Sequence, residues 1–301
     1  MLAVWLLWAC QGTAGPDPDG QGDGGATETG TAPTGAGCPV SATDAQVGSI
    51  GEADLVETSG LVASRTRPGV LWAHNDSGGG SRLYALDQAG GAVARVEVEG
   101  ASATDWEDLS TGPWQGGQGL FVGDIGDNAQ ARVEVVVWAM PEPVEGQGQV
   151  DATGLHLRYP DGAHDAEALI VDPISGDLLI VTKTMSATAA VYAARAPLAS
   201  DVELTHVADL DLSAEQGVVF GVVTGGAAAP DGSCLYLRTY GDVLAWSRDP
   251  SQPVESAFTG AMSVLPSRAE DQGEAIAADE AGYWTLSEGA AAPLYRFTGS
   301  W

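Results

Sequence analysis

The stretch EALIVDPISGDLLIVTKT, residues 167–184, decides the fold. Two short apolar runs flank Pro173-Ile174-Ser175-Gly176. Runs of this length, rich in branched side chains and bounded by turn formers, read as strands. Pro presets φ for a turn and Gly supplies the positive φ that closes it, so the stretch is a hairpin. The same unit recurs along the chain, as 60–64 with 70–76, 106–112 with 119–127, 222–229 with 234–240, and 274–278 with 283–288. A third run with an aromatic follows each pair, at Tyr84, Trp138, Tyr192, Trp246 and Tyr295. A fourth, more polar run follows the first four, at 93–99, 155–159, 203–210 and 256–265.

Repeats of roughly 40–60 residues with four strands each are the sequence mark of a β-propeller. We therefore expect an all-β chain with five four-stranded blades, six being the alternative because the spacings are uneven. The fifth unit lacks a fourth strand. Residues 53–58 precede the first hairpin and are expected to supply it, closing the ring and leaving fewer free edges.

In each blade the turn between the first two strands lies on one face. The start of the first strand and the end of the second must then meet on the opposite face. Those positions hold His74-Asn75-Asp76, Asp105-Trp106-Glu107-Asp108, Asp124 to Asn128, His164-Asp165-Ala166-Glu167, Lys183, Arg238 to Tyr240, Gly273-Glu274 and Glu288. A funnel mouth of about ten carboxylates follows. So many acids cannot all stay ionised and unpaired; either some protonate or a cation neutralises them.

Hard oxygen donors favour Ca²⁺ over a transition metal. The expected ligands are Glu107, Asp124, Asp127, Asn128, Asp165, Glu167 and Glu274. Asp76, Asp127 and Asn128 read equally well as strand-end turn formers. Asn75, Asp76, Trp106, Lys183, Arg238, Tyr240 and Glu288 are the expected ligand-binding residues. Lys183, the only Lys in the chain, pairs with Glu167 or orients an anionic ligand. Trp106 and Tyr240 serve equally as wedges between blades.

The chain has 301 residues, with 12 Lys plus Arg against 41 Asp plus Glu, a formal charge of −29. Nucleic acid is excluded, because phosphate backbones are bound through clustered cations. Of the 3 cysteines no two form Cys-x-x-Cys, which excludes a zinc ribbon or thioredoxin-type site.

Residues 2–9 are a short apolar run ending in Leu7-Trp8-Ala9-Cys10, too short to span a bilayer. The ending resembles the lipobox of bacterial lipoproteins, which implies cleavage before Cys10 and a diacylglycerol on its sulfur. Residues 1–10 are thus read as signal and lipobox, with full secretion as the alternative. Residues 11–37 hold no apolar side chain larger than Ala and are expected to be a disordered tether. Such a coil spans roughly 30 Å. Residues 38–301 form the propeller. With Cys10 lipidated, Cys38 and Cys234 are left as an even pair, either bridged or idle.

Ser59-Gly60-Leu61, His74-Asn75-Asp76-Ser77-Gly78, Asp165-Ala166-Glu167-Ala168 and Gly273-Glu274-Ala275-Ile276-Ala277 carry a resemblance to secreted bacterial propellers of the phytase-like and esterase-like group. The chain is more distantly similar to gluconolactonase-like and strictosidine-synthase-like calcium propellers. Ala168 stands where that group has Gly. The resemblance implies a central cation near Glu107, Glu167 and Glu274, and permits phosphoester or ester hydrolysis.

Two functions are expected in order. The first is a lipid-anchored, monomeric module at the bacterial envelope, binding a small molecule or protein at a Ca²⁺-occupied mouth. The second is a metal-dependent hydrolase of a phosphoester, ester or lactone, with Glu107 as base or nucleophile and His74 or His164 carrying the proton. No Gly-x-Ser-x-Gly elbow supports a serine esterase.

Overall fold

A computed structural model describes residues 37–76 and 79–301. The expected signal and lipobox at 1–10 with Cys10, residues 11–36 of the tether, and Ser77 and Gly78 lie outside the described residues.

The chain forms a five-bladed β-propeller. The first strand, β1 (Ser41–Ser49), precedes the blades. Blade 1 is β2 (Thr58–Ala63), β3 (Val70–Asn75), β4 (Arg82–Asp87) and β5 (Ala92–Glu99). Blade 2 is β6 (Trp106–Trp114), β7 (Gly117–Asp124) and β8 (Val135–Pro141). After them, β9 (Gln149–Asp151) adds in parallel to β5 of the preceding blade, and β10 (Thr153–Arg158) completes blade 2. Blade 3 is β11 (Ala166–Val171), β12 (Leu178–Thr182) and β13 (Thr188–Ala194). The two-residue β14 (Val202–Glu203) returns in parallel to β10, and β15 (Thr205–Asp211) ends blade 3. Blade 4 is β16 (Val223–Ala228), β17 (Cys234–Thr239), β18 (Val243–Ser247) and β19 (Met262–Leu265). A 3-10 helix at Val254–Thr259 takes the start of the expected 256–265 strand. Blade 5 is β20 (Gly273–Asp279), β21 (Gly282–Ser287) and β22 (Pro293–Ser300).

The strand beside β22 is β1, not the expected 53–58. Leu55 in that segment is instead a fully buried plug between blades 5 and 1, carried on a turn. Just before β1, Cys38 is disulfide-bonded to Cys234 of blade 4, so the chain is stapled across a blade boundary.

The core is divided into five apolar clusters, one at each contact between neighbouring blades. Period-two alternation makes this division. Leu120 and Val122 face blade 1, whereas Phe121 between them faces blade 3. Each sheet is therefore apolar on both faces, which is why its strands are continuous apolar runs such as Leu178-Leu179-Ile180-Val181. The inner strands touch in cyclic order, β2 to β6, β11, β16, β20 and back to β2.

Candidate functional site: a carboxylate mouth

Every inner hairpin carries a register break at the same place. It falls between Thr58 and Gly60, Trp106 and Asp108, Ala166 and Ala168, Val223 and Gly225, and Gly273 and Ala275. A β-bulge inserts one residue and re-aims its side chain, and bulges gather beside functional sites. The inserted residues are Ser59, Glu107, Glu167, Thr224 and Glu274. The residues that follow the second strands make a second equivalent set, Asp76, Ile125, Lys183, Tyr240 and Glu288. Those just before the bulged pairs make a third, Glu57, Asp105, Asp165, Val222 and Gln272.

On the side of blades 1 and 2, Asp76, Asp105 and Glu107 each place one carboxylate oxygen within 4.8 Å of the others. Asp76 Oδ1 is buried with no hydrogen-bond partner among the described residues. Glu107 is only 4% exposed. Burial, then Glu167 and Asp76 nearby, pushes its carboxyl up to about 10. Burial with Asp105 and Glu288 raises Asp76 to about 6. Asp105 is raised by burial and by Asp165.

Two neighbours fix this triad. Asp124 accepts the backbone N–H groups of Thr104 and Asp105 and pairs with Arg132 at 2.9 Å. Gly126 lies directly beneath the carboxylates, where any side chain would collide with Glu107 and Asp105. Asp105 was placed at the mouth by the sequence but given no role there; its equivalence to Asp165, one residue before a bulged pair, is the signal that marks it.

On the side of blades 3 to 5, the Lys183 ammonium bonds Glu167 and sits 5.6 Å from the centre of the Tyr240 ring. Burial raises Glu167 against the pull of Lys183, and raises Glu274 to about 7. Glu274 is 5% exposed, and its Oε2 has no hydrogen-bond partner among the described residues. Glu288 is half-buried and raised by burial and by Glu57. Asp165 accepts the Asp127 N–H at 2.8 Å, while Asp127 accepts the Arg132 N–H at 2.7 Å, so both brace the loop. Asn128 is exposed.

Below the mouth the axis is closed. Asp108 is fully buried and accepts N–H groups from Leu109, Leu169 and Gly226, which belong to blades 2, 3 and 4. Inner strands have a free edge toward the axis, and this carboxylate satisfies donors there. At the far end Arg65 crosses to Thr111 of blade 2 and the Ala228 carbonyl of blade 4. The mouth is thus a cup and not a channel.

Several expected site residues lie elsewhere. His74 is fully buried, its ring edge-on to Trp106 at 5.5 Å. Burial lowers its pKa to about 4, so it is neutral and sealed in the wall. His164 is held by Asp161 and Tyr192, packed against Tyr159, in a separate cluster on blade 3. Trp106 is fully buried between blades 1 and 2, its indole N–H donated to the Ser102 carbonyl. Arg238 is fully buried against Glu270 and the Gly273 carbonyl. Asn75 is a clamp: its side chain accepts N–H groups of Val56 and Glu57 and donates to the Asp54 carbonyl. Strand alternation next to a bulge decides which side chains face the axis, and the bulges are not visible in the sequence. No family model matches this chain, and no curated protein matches it.

Proposed function

We propose that this chain is an exported, lipid-anchored binding module of the bacterial envelope whose mouth holds Ca²⁺ and, with it, a ligand or partner. The observation that carries the reading is the triad of Asp76, Asp105 and Glu107, with one oxygen from each inside a 4.8 Å cluster. Three hard oxygens, one from each carboxylate, suit a hard divalent cation. Glu167 is taken up by Lys183, and Asp124 by Arg132, so neither is in this ligand set. When bound, the ion would supply positive charge and coordination positions for a ligand's oxygen donors.

The Cys38–Cys234 disulfide supports an oxidising compartment, and the anchor at Cys10 belongs to the same proposal. The same reading takes the pairing of β1 with β22 as the closure of the ring. The grouping with phytase-like and gluconolactonase-like propellers rests on the short motifs around Gly60, Asp165 and Gly273 alone. Metal-dependent hydrolysis has less support, since His74 is sealed and His164 is engaged by Asp161 and Tyr192.

Calorimetric titration of Ca²⁺ into the chelator-stripped chain tests the proposal. One site is expected, lost in the double variant Asp105→Asn, Glu107→Gln. Absence of heat together with an unchanged melting temperature would remove the cation.

A further inference from the structure

Beside the acidic cup stands an apolar rim that the cation does not explain. Val218 is buried in the cluster between blades 3 and 4, but Val219 is 81% and Phe220 44% exposed. Their outward position is built in. The buried Asp242 carboxylate accepts both backbone N–H groups, at 2.7 Å from Val219 and 3.3 Å from Phe220. Gly221 approaches the Leu212 carbonyl so closely that no side chain fits there. The Phe220 ring lies 5.9 Å from Tyr240, whose ring adjoins Lys183 and whose hydroxyl feels Glu274. Met185, 79% exposed, follows Lys183 on the neighbouring blade. An outward-facing apolar loop, tied to Asp242, therefore borders a cup in which Lys183 is the only lysine and is itself paired.

We propose that the loop at 219–220 and the Tyr240 ring, with Glu274 and Glu288 beside them, dock a partner polypeptide segment carrying a Lys or Arg next to an apolar side chain. The cation would meet Glu274, whose Oε2 has no hydrogen-bond partner among the described residues, and the apolar neighbour would cover Phe220 and Val219. Charge complementarity selects the basic group, and pre-positioned aromatic and aliphatic side chains supply the area that a small cation would leave uncovered. An anionic lipid surface is repelled by the same carboxylates. The proposal rests on the mouth being a binding site, but it does not require the Ca²⁺ triad.

The test probes the full chain with an array of acetylated, amidated nonapeptides holding one Arg or Lys flanked by Leu or Phe. Control peptides replace the cation by Glu or the flanks by Ser. Basic-apolar peptides are expected to bind, and both controls to fail. In anisotropy titrations Phe220→Ser should weaken the best peptide about tenfold, and Glu274→Gln several-fold. Calorimetric Ca²⁺ binding should persist in Phe220→Ser, which also reports that the variant is folded. Equal binding of the controls, indifference to Phe220→Ser, no binding by any peptide, or equal affinity for spermidine would overturn the proposal. No peptide binding by the unaltered chain, with its Ca²⁺ binding intact, defeats this inference alone; absence of both in the unaltered chain defeats the mouth as a binding site.

Discussion

Two of the five bulges and the other three use one backbone device for different ends. In blades 1 and 4 the inserted residues are Ser59 and Thr224, whose hydroxyls donate to the Glu107 and Gly273 carbonyls of the following blades. In blades 2, 3 and 5 the inserted residues are Glu107, Glu167 and Glu274, all buried and all with raised pKa values. A hydroxyl suffices to tie one blade to the next. The carboxylates are therefore not demanded by the architecture, and their burial works against the folded state. The bulge belongs to the fold, whereas its acidity belongs to the site.

The largest expected effect separates the two kinds of bulge directly. Asp105→Asn with Glu107→Gln should weaken Ca²⁺ about a hundredfold or more, since it removes two charged ligands. Thr224→Val should leave the same calorimetric isotherm within about twofold, since no carboxylate is touched. Next comes Gly126→Ala, which forces a methyl group under Glu107 and Asp105. Ca²⁺ affinity should fall about tenfold to a hundredfold, as for other loss of ligand positioning. Normal affinity in that variant would mean that the triad is not the site.

A smaller effect is expected from the hydroxyl bulges. Ser59→Ala and Thr224→Val should each lower stability by about 1–2 kcal/mol in urea titrations, because a buried hydrogen bond is lost. If stability is unchanged, these side chains do not join the blades.

The last comparison is the pH slope of stability. Burial raises Glu107 to about 10, Glu274 to about 7 and Asp76 to about 6. In the unfolded chain such groups ionise near 4. Between those limits the native state holds protons that the unfolded state has released, so cation-free stability should fall as pH rises from about 5 to 8. Glu107→Gln should flatten the slope, and added Ca²⁺ should restore stability at the high end. A rise in stability with pH would contradict the burial of these acids.

The blade hairpins were legible because sheets sandwiched between neighbours are apolar on both faces, so runs such as 178–181 are continuous. The strand next to β22 was not, because Ser41–Ser49 contributes backbone pairing and little apolar surface. Residues 53–58 offered themselves only by preceding the first hairpin, and Leu55 among them is buried without forming a strand. The acidic face followed from hairpin geometry, which brings Asp76, Glu107, Lys183 and Glu288 to one end. Its division did not. A bulge shifts the facing of every side chain beside it, so His74 and Arg238 point into the walls while Asp105 joins the triad. Asp108, read only as another acid of the mouth, closes the axis through three backbone donors that no sequence pattern displays.

The central claim is that Asp76, Asp105 and Glu107 converge to hold one hard cation. A crystal structure of the full chain grown with Ca²⁺ measures this most directly. A single ion between those three carboxylates is expected, with Glu167 still on Lys183. A Ca²⁺-saturated crystal with no ion between them, or with Glu107 turned away from Asp76 and Asp105, would contradict it.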